Sequence, residues 1–234
     1  MDRGRTRLIS STRVRSRRRI TFKTTVRTIA NQYGLCASFL PKPLRDESGN
    51  GLHINLSIEH GGINIFEQQD GQLSLDAQHA IAGILGRIRE ISLFLNPLPS
   101  SYQRLGCWEA PKRINWSFGN RSQLVRIPAA HPGAGRMELR SPDPACNPYL
   151  AFALVLAAAM EGITEVTPLQ APLDDSGSLP ESLEEAISLA EKSAFIREVL
   201  PENVIDAYLA EKKKTAARFE ADANAVFQQH LRTI

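Results

Sequence analysis

The sequence predicts an α+β fold. Two observations carry that prediction. Strand-like and helical segments follow one another in mixed order, without the regular βα alternation of a doubly wound sheet, and the C-terminal stretch reads as a helical tail. With 234 residues, 42% hydrophobic and 23% charged, the chain can form one large domain or two small ones around a sizeable core. That composition excludes a disordered or collagen-like polymer. The longest apolar run, Tyr149 to Met160, falls well short of the roughly 20 residues of a membrane span, so no membrane partner is expected. Three widely spaced cysteines (Cys36, Cys107, Cys146) make no CxxC pair and no disulfide framework, which points to a reducing, cytoplasmic compartment.

Each element has a local reason. Phe22, Val26, Ile29, Ala30 and Tyr33 recur at helical spacing, and Gly34 stands where a C-cap glycine belongs. The apolar stretch 36–40 reads as a short buried strand stopped by Pro41 and Pro43. A polar turn, 45–51, leads into 52–58, which alternates strictly. Residues 76–95 form an amphipathic helix ended by Asn96-Pro97. The segment 96–146 is rich in Pro, Gly and Arg, with strand-like runs at 112–117, 122–127 and 136–140. Asn147-Pro148 supplies an N-cap and an N1 proline for an apolar helix reaching about Gly162. A loop over 168–180 follows, and the tail reads as helices over 181–192, 193–199 and 202–230. No internal repeat is visible.

Two strands carry chemistry. A period of two puts Leu52, Ile54, Leu56 and Ile58 on one face and His53, Asn55 and Ser57 on the other. That pattern suits either one wall of a polar cleft or a strand with one face in solvent. In 136–140, Arg136, Glu138 and Arg140 share a face while Met137 and Leu139 point to the core. Two guanidiniums flanking a carboxylate form either a solvated ion-pair ladder or an anion site with a metal-binding carboxylate. Arginine is also dense upstream, at Arg104, Arg113, Arg121 and Arg126, and it is the residue suited to bidentate recognition of carboxylate and phosphate. Beside a possible His/Glu metal pair, these arginines suggest a substrate carrying phosphates and carboxylates. There is no Walker-type loop, no GxGxxG and no recognisable nucleophile constellation.

At these residues the chain resembles the catalytic domain of bacterial-type glutamine synthetase. The motifs are Phe39-Leu-Pro-Lys-Pro43, Gly49-Asn-Gly-Leu-His-Ile-Asn-Leu-Ser57, Tyr102-Gln-Arg-Leu105 with Glu109-Ala-Pro111, Asn120-Arg-Ser122 with Val125-Arg-Ile-Pro128, and Arg136-Met-Glu-Leu-Arg-Ser-Pro-Asp-Pro144 with Asn147-Pro-Tyr-Leu-Ala151. They stand in family order; each is weak alone, and together they are specific. The resemblance implies the family's curved antiparallel sheet with flanking helices, over residues 21–234 and truncated at its N-terminal side.

It also implies an activity: ATP-dependent ligation of ammonia to L-glutamate through γ-glutamyl phosphate, with Mg²⁺ or Mn²⁺ and ATP as co-substrate. Carried residue by residue, His53 and Glu138 match metal ligands, and Gly49 matches the loop holding glutamate. Arg104 and Arg140 match the arginines that grip its carboxylates. Ser57 and Arg136 match nucleotide contacts. Arg121 and Arg126 match the arginines that neutralise the transferring phosphoryl group. Glu109 matches the flap glutamate that closes the site and helps deprotonate ammonium. The resemblance thus makes Glu109 and Arg121 catalytic and places both beside glutamate, with Arg121 also facing ATP. Large homo-oligomeric rings are implied, and no nucleic-acid partner. A catalytically silent relative, and a sister ligase using an amine other than ammonia, are the alternatives.

The departures are specific. The flap is one residue shorter than the commonest pattern, Asn55 stands where a histidine is common, and no segment resembles the N-terminal β-grasp domain or the early strands that supply further metal-binding glutamates. The family's adenylylation segment is not recognisable after Gly162.

Charge marks where the resemblance begins. Residues 1–20 hold eight arginines against Asp2, whereas the rest of the chain is net acidic, so the overall charge of +3 belongs to that segment. A basic arm for nucleic acid and an Arg- and Ser-rich transit peptide are two readings of it. We expect a third. Permitted codons for Met1–Ile20, read two bases later, spell Gly-Pro-Gly-Gln-Asn-Glu-Ile-Asp-Phe-Lys-Tyr-Ser-Gly-Ala-Leu-Thr-Ala-Ala-Asp, which resembles what the family carries before the Phe22-Lys23 helix. Residues 1–20 are therefore expected to be the product of a shifted reading frame, which the nucleotide sequence decides.

Overall fold

A computed structural model describes residues 11–67, 71–131, 133–173 and 177–233. Its centre is a four-stranded sheet of β1 (Ile54–Leu56), β4 (Trp116–Phe118), β5 (Val125–Ile127) and β6 (Met137–Leu139), in the order β1-β6-β5-β4. Both pairings of β6 are antiparallel, while β4 runs parallel to β5. Register does the sorting. Ile54 faces Leu139, Leu56 faces Met137 and Val125 faces Leu139, so one side of the sheet is an apolar layer. The opposite side carries a polar row across all four strands, Asn55, Glu138, Arg126 and Ser117.

The apolar side belongs to one continuous core shared with α2 (Leu75–Leu95), α4 (Pro148–Thr164) and α5 (Leu183–Lys192). Ser74 caps α2 through its side chain, accepting from the Ala77 amide, and Asn147 caps α4 by accepting from the Tyr149 amide with Pro148 at N1. These two helices pack closely where glycines meet. A Cβ on Gly162 would lie 2.1 Å from the His79 carbonyl oxygen, and one on Gly83 would lie 2.2 Å from that of Ala158.

Helix α1 (Ser11–Gln32) ends as the sequence indicated. Gly34, at φ +70°, donates to the Asn31 carbonyl while Leu35 donates to that of Ala30, a Schellman closure. The helix runs unbroken across the 20/21 boundary, and residues 1–10 lie outside those described. Its apolar residues Phe22, Ile29 and Tyr33 are exposed.

Several local expectations change. Residues 36–40 form no strand: Leu40 is buried but Cys36 is exposed. The backbone of Leu40 is met by side chains rather than a ladder, its N–H donating to Ser38 Oγ and Asn50 Nδ2 donating to its carbonyl. Within 112–117 the ladder covers only the end, and 112–114 instead meet 177–179 through the Arg113–Ser178 bridge and the Ile114–Gly177 hydrogen bond. A hairpin of β2 (Glu59–His60) and β3 (Ile63–Asn64) turns on Gly61 and Gly62, both left-handed. A short helix, α3 (Pro99–Arg104), follows Asn96. The tail contains α5, α6 (Ala194–Val199), α7 (Glu202–Ala221) and α8 (Ala223–Thr233). The expected single helix over 202–230 breaks at Asp222, whose carboxylate caps α8 by accepting from the Ala225 amide. No helix among the described residues is long and apolar enough to cross a membrane.

Candidate active site

Burial alternates strictly from Leu52 to Ile58, and the polar side of β1 lies beside the polar side of β6. Glu138 is the centre. Its Oε1 is 2.9 Å from His53 Nδ1, and its Oε2 accepts from Arg126 Nη1 at 3.0 Å and Arg140 Nη1 at 3.1 Å. Glu138 and Arg140 are both buried, which removes the solvated-ladder reading of this strand.

The charge states follow from the surroundings. Burial pushes the Glu138 carboxyl up, but the hydrogen bond from Arg126 and the neighbouring His53 and Arg140 charges together hold its pKa below the usual value. Burial, then the Arg140 charge, lowers the His53 pKa against the pull of Glu138. His53 is therefore neutral near pH 7. Because a carboxylate only accepts, Nδ1 carries the proton that His53 donates to Glu138, which leaves the Nε2 lone pair free. A Cβ on Gly51 would sit 3.3 Å from that Nε2 and 2.8 Å from Arg104 Nη2.

Beside this cluster opens a cleft of about 410 Å³, lined by Gly49, Gly51, His53, Arg104, Glu109 and Arg140 among others. Gly49 is pressed against α3: a Cβ there would lie 2.4 Å from the Pro41 carbonyl oxygen and 2.9 Å from Arg104 Cγ. Arg104 is nearly fully buried and clamps the exit of β6, donating from Nη1 to the Ser141 carbonyl and from Nη2 to that of Arg140. Over the mouth stands the loop 105–110, closed on itself by hydrogen bonds from Gly106 to Ala110 and from Ala110 to Cys107. Trp108 in this loop is left-handed, at φ 56°, and largely exposed. Glu109 reaches back to Arg140, Oε2 to Nη2, at 3.8 Å.

Further along the same face lie Ser57, donating to the Gly135 carbonyl, and Arg136, whose Nε donates to Asn55 Oδ1. Eight of the candidate residues thus gather in and beside the cleft or along this face: Gly49, His53, Ser57, Arg104, Glu109, Arg136, Glu138 and Arg140. Arg126 joins them through Glu138 while its Nε donates to the Gly119 carbonyl. Arg121 does not join. It is exposed in the turn before β5 and makes none of the cluster's hydrogen bonds.

The sequence reading missed a buried junction behind Arg104. Asp143, fully buried, accepts from Asn96 Nδ2 and from the Ala145 amide, and Asn96 Nδ2 also donates to the Ser141 carbonyl that Arg104 uses. The apposition of Asn96-Pro97 with Ser141-Pro142-Asp143-Pro144 was its only trace in the sequence.

His53 and Glu138 offer donors suited to a divalent cation, but among the described residues no third His, Cys, Asp or Glu joins them. Both Glu138 oxygens are already engaged by His53 and two arginines. On their own these residues do not make a metal centre.

The family model for the glutamine synthetase catalytic domain matches residues 17–229. The chain is 43% identical to glutamine synthetase of Methanosarcina mazei over an alignment of 219 positions that covers 86% of this chain and 49% of that protein. It is 37% identical to that of Thermotoga maritima, covering 85% and 49%, and 40% identical to that of Thermus thermophilus, covering 82% and 47%. Among solved structures, an ADP complex of GmaS superposes with a TM-score of 0.80 at 31% identity, covering 90% of this chain and 52% of that one. GmaS without ligand gives the same TM-score at 32% identity. The chain spans about half the length of the curated relatives it matches.

Proposed function

This chain belongs to the glutamine synthetase catalytic-domain family, and from that premise we propose that its cleft is part of the site of an ATP-dependent ligase joining ammonia to L-glutamate. The observation that carries the reading is the cluster of His53, Arg104, Glu138 and Arg140 around a cleft of substrate size, under a loop bearing Glu109. Buried guanidiniums suit a carboxylate substrate, and a preorganised cationic wall suits a transferring phosphoryl group.

The chemistry has two steps. A γ-carboxylate oxygen of glutamate attacks the γ-phosphorus of ATP, forming γ-glutamyl phosphate and releasing ADP. Ammonia then attacks the acyl carbon and phosphate leaves. In this reading Arg104 and Arg140 hold the substrate carboxylates at Gly49, while Arg121 and Arg126 neutralise phosphoryl charge and Ser57 and Arg136 face the nucleotide. Glu109 takes a proton from ammonium, and its loop excludes the water that would hydrolyse the acyl phosphate. Arg121 would have to swing in from its exposed turn. The family's divalent cation, Mg²⁺ or Mn²⁺, would supply positive charge for the nucleotide phosphates, but among the described residues His53 and Glu138 alone do not hold one. Ring assembly and a cytoplasmic setting belong to the same proposal, and the three free cysteines agree with a reducing compartment.

Calorimetric titration with L-glutamate tests the site. Saturable binding is expected, lost in Arg140→Gln, and absence of binding to the unaltered chain would overturn the proposal. Phosphate release dependent on ATP, Mg²⁺ and glutamate, measured with ammonium, with methylamine and with neither, separates the alternatives. We expect little turnover from the chain alone because the described residues bring only two metal donors, His53 and Glu138, together. Robust release with ammonium would set that expectation and the catalytically silent reading aside. Release with methylamine in preference to ammonium would favour a sister ligase.

A further inference from the structure

A second groove lies against α3. It encloses about 460 Å³ between α3, the 40–45 segment and helices α7 and α8. That volume is in the range of small-molecule sites. Leu40, Phe219, Val226 and Phe227 supply its apolar walls, and the two phenylalanine rings are only partly covered. Ser100, 6% exposed, also lines it, and its Oγ is buried without a hydrogen-bond partner. That hydroxyl lies beneath the groove surface, out of a ligand's reach, so the donors the groove itself offers are the side chains at its rim.

The charge at its rim has one sign. Arg45 and His230 line the groove, and no acidic side chain among the described residues does. Burial, followed by the Lys212 and Arg218 charges, lowers the His230 pKa, so positive charge surrounds this imidazole as well. A neutral imidazole can donate one hydrogen bond and a guanidinium several. These donors match the two oxygens of a carboxylate. A phosphate dianion would find too few donors among walls that are mostly apolar.

We propose that this groove binds a small carboxylate with an aromatic or branched apolar body, its carboxylate held by Arg45 and His230 and its body by Phe219, Val226 and Phe227. The site shares no lining residue with the cleft at Gly49 but neighbours it. Asn50, next to Gly49, donates through its side chain to the carbonyl of Leu40 in the groove wall, and Gln103 of the groove precedes Arg104. The proposal does not depend on the ligase reading.

Phenylacetate and its neutral counterpart phenylacetamide, titrated into the purified chain by calorimetry, test it. Phenylacetate is expected to bind saturably at millimolar or lower concentration, with phenylacetamide about tenfold weaker, since a charge-assisted hydrogen bond is worth about that factor. Arg45→Gln, at an exposed position, should weaken phenylacetate about tenfold and leave phenylacetamide unchanged. Val226→Trp should block both ligands, and Arg45→Gln keeps the test decisive if that larger change disturbs folding. Three results would overturn the proposal: no saturable binding, equal binding of acid and amide, or a concentration-dependent dimer through this groove that phenylacetate does not dissolve.

Discussion

His53 Nδ1 and Glu138 Oε1 lie 2.9 Å apart on adjacent strands, and the other oxygen of Glu138 serves two guanidiniums. One carboxylate therefore compensates two arginines, of which Arg140 is almost wholly buried. Glu138→Gln keeps the shape and removes the charge, leaving Arg140, among the described residues, with the distant, exposed Glu109 as its acidic partner. The expected cost is about 2–3 kcal/mol, because stranding a buried charge costs more than the pair contributes. Urea denaturation of the two proteins measures it, and a difference under about 0.5 kcal/mol would show that solvent already compensates Arg140.

The α2–α4 contact carries its own ion pair, and its pH dependence has a definite sign. Arg87 forks onto Glu161, Nε and Nη2 each 2.8 Å from a carboxylate oxygen. The hydrogen bond from Arg87 is the main cause that lowers the Glu161 pKa. A carboxylate lowered on folding contributes stability above its ordinary value of 4.5, and that contribution is lost as pH falls through the lower folded value. Both side chains are about one-third exposed, so the contribution is modest. Glu161→Gln should cost about 1 kcal/mol at neutral pH, and the two melting curves should converge as pH falls below the ordinary carboxylate range. A constant gap across that range would mean the loss is one of packing.

How much of this was legible follows element by element. The strict alternation of 52–58 gave the correct buried face because strand periodicity and sheet register are the same fact. The stretch 36–40 was misread because an apolar run bounded by prolines looks alike whether it pairs in a ladder or lies extended, and its backbone partners, Ser38 and Asn50, are side chains. Periodicity in α1 reported a face, Phe22, Ile29 and Tyr33, but not whether anything covers it. The hairpin signal Gly61-Gly62 and the capping Asp222 were both visible and overlooked. Arg121 sits in the right motif and in an exposed turn, which no motif can reveal. Tertiary junctions such as Asn96 with Asp143 join residues 47 positions apart and leave almost no local signature.

The glycines between α2 and α4 make a sharper stability prediction. Added Cβ atoms at Gly83 or Gly162 would fall within 2.8 Å of backbone on the opposite helix, where nothing flexible can yield. Alanine is ordinarily about 1 kcal/mol better than glycine inside a helix. Here Gly83→Ala and Gly162→Ala should each instead destabilise by about 2–3 kcal/mol, as overpacking does. Thermal melts decide, and a rise in melting temperature in either variant would mean that the helices separate without penalty.

Asp143 offers the last test, because its hydrogen bonds and its charge pull in opposite directions. Burial raises its pKa, against the lowering by the Arg104 charge and by the hydrogen bonds from Ser101, Asn96 and the Ala145 amide. A carboxyl raised on folding loses stabilising influence as pH rises, so at neutral pH the charge itself is a liability and the acceptor oxygens are the asset. Asp143→Ala removes both and strands the Ala145 amide and one donor of Asn96, at an expected cost of about 2–4 kcal/mol. Asp143→Asn keeps one acceptor for the Ala145 amide and removes the buried charge, so it should cost clearly less. The junction also bears on the cleft, since the Ser141 carbonyl serves Asn96 and Arg104 together. Denaturation midpoints of the two variants give the ordering, and an asparagine variant as unstable as the alanine one would make the negative charge facing Arg104, rather than the acceptors, the element that holds this corner.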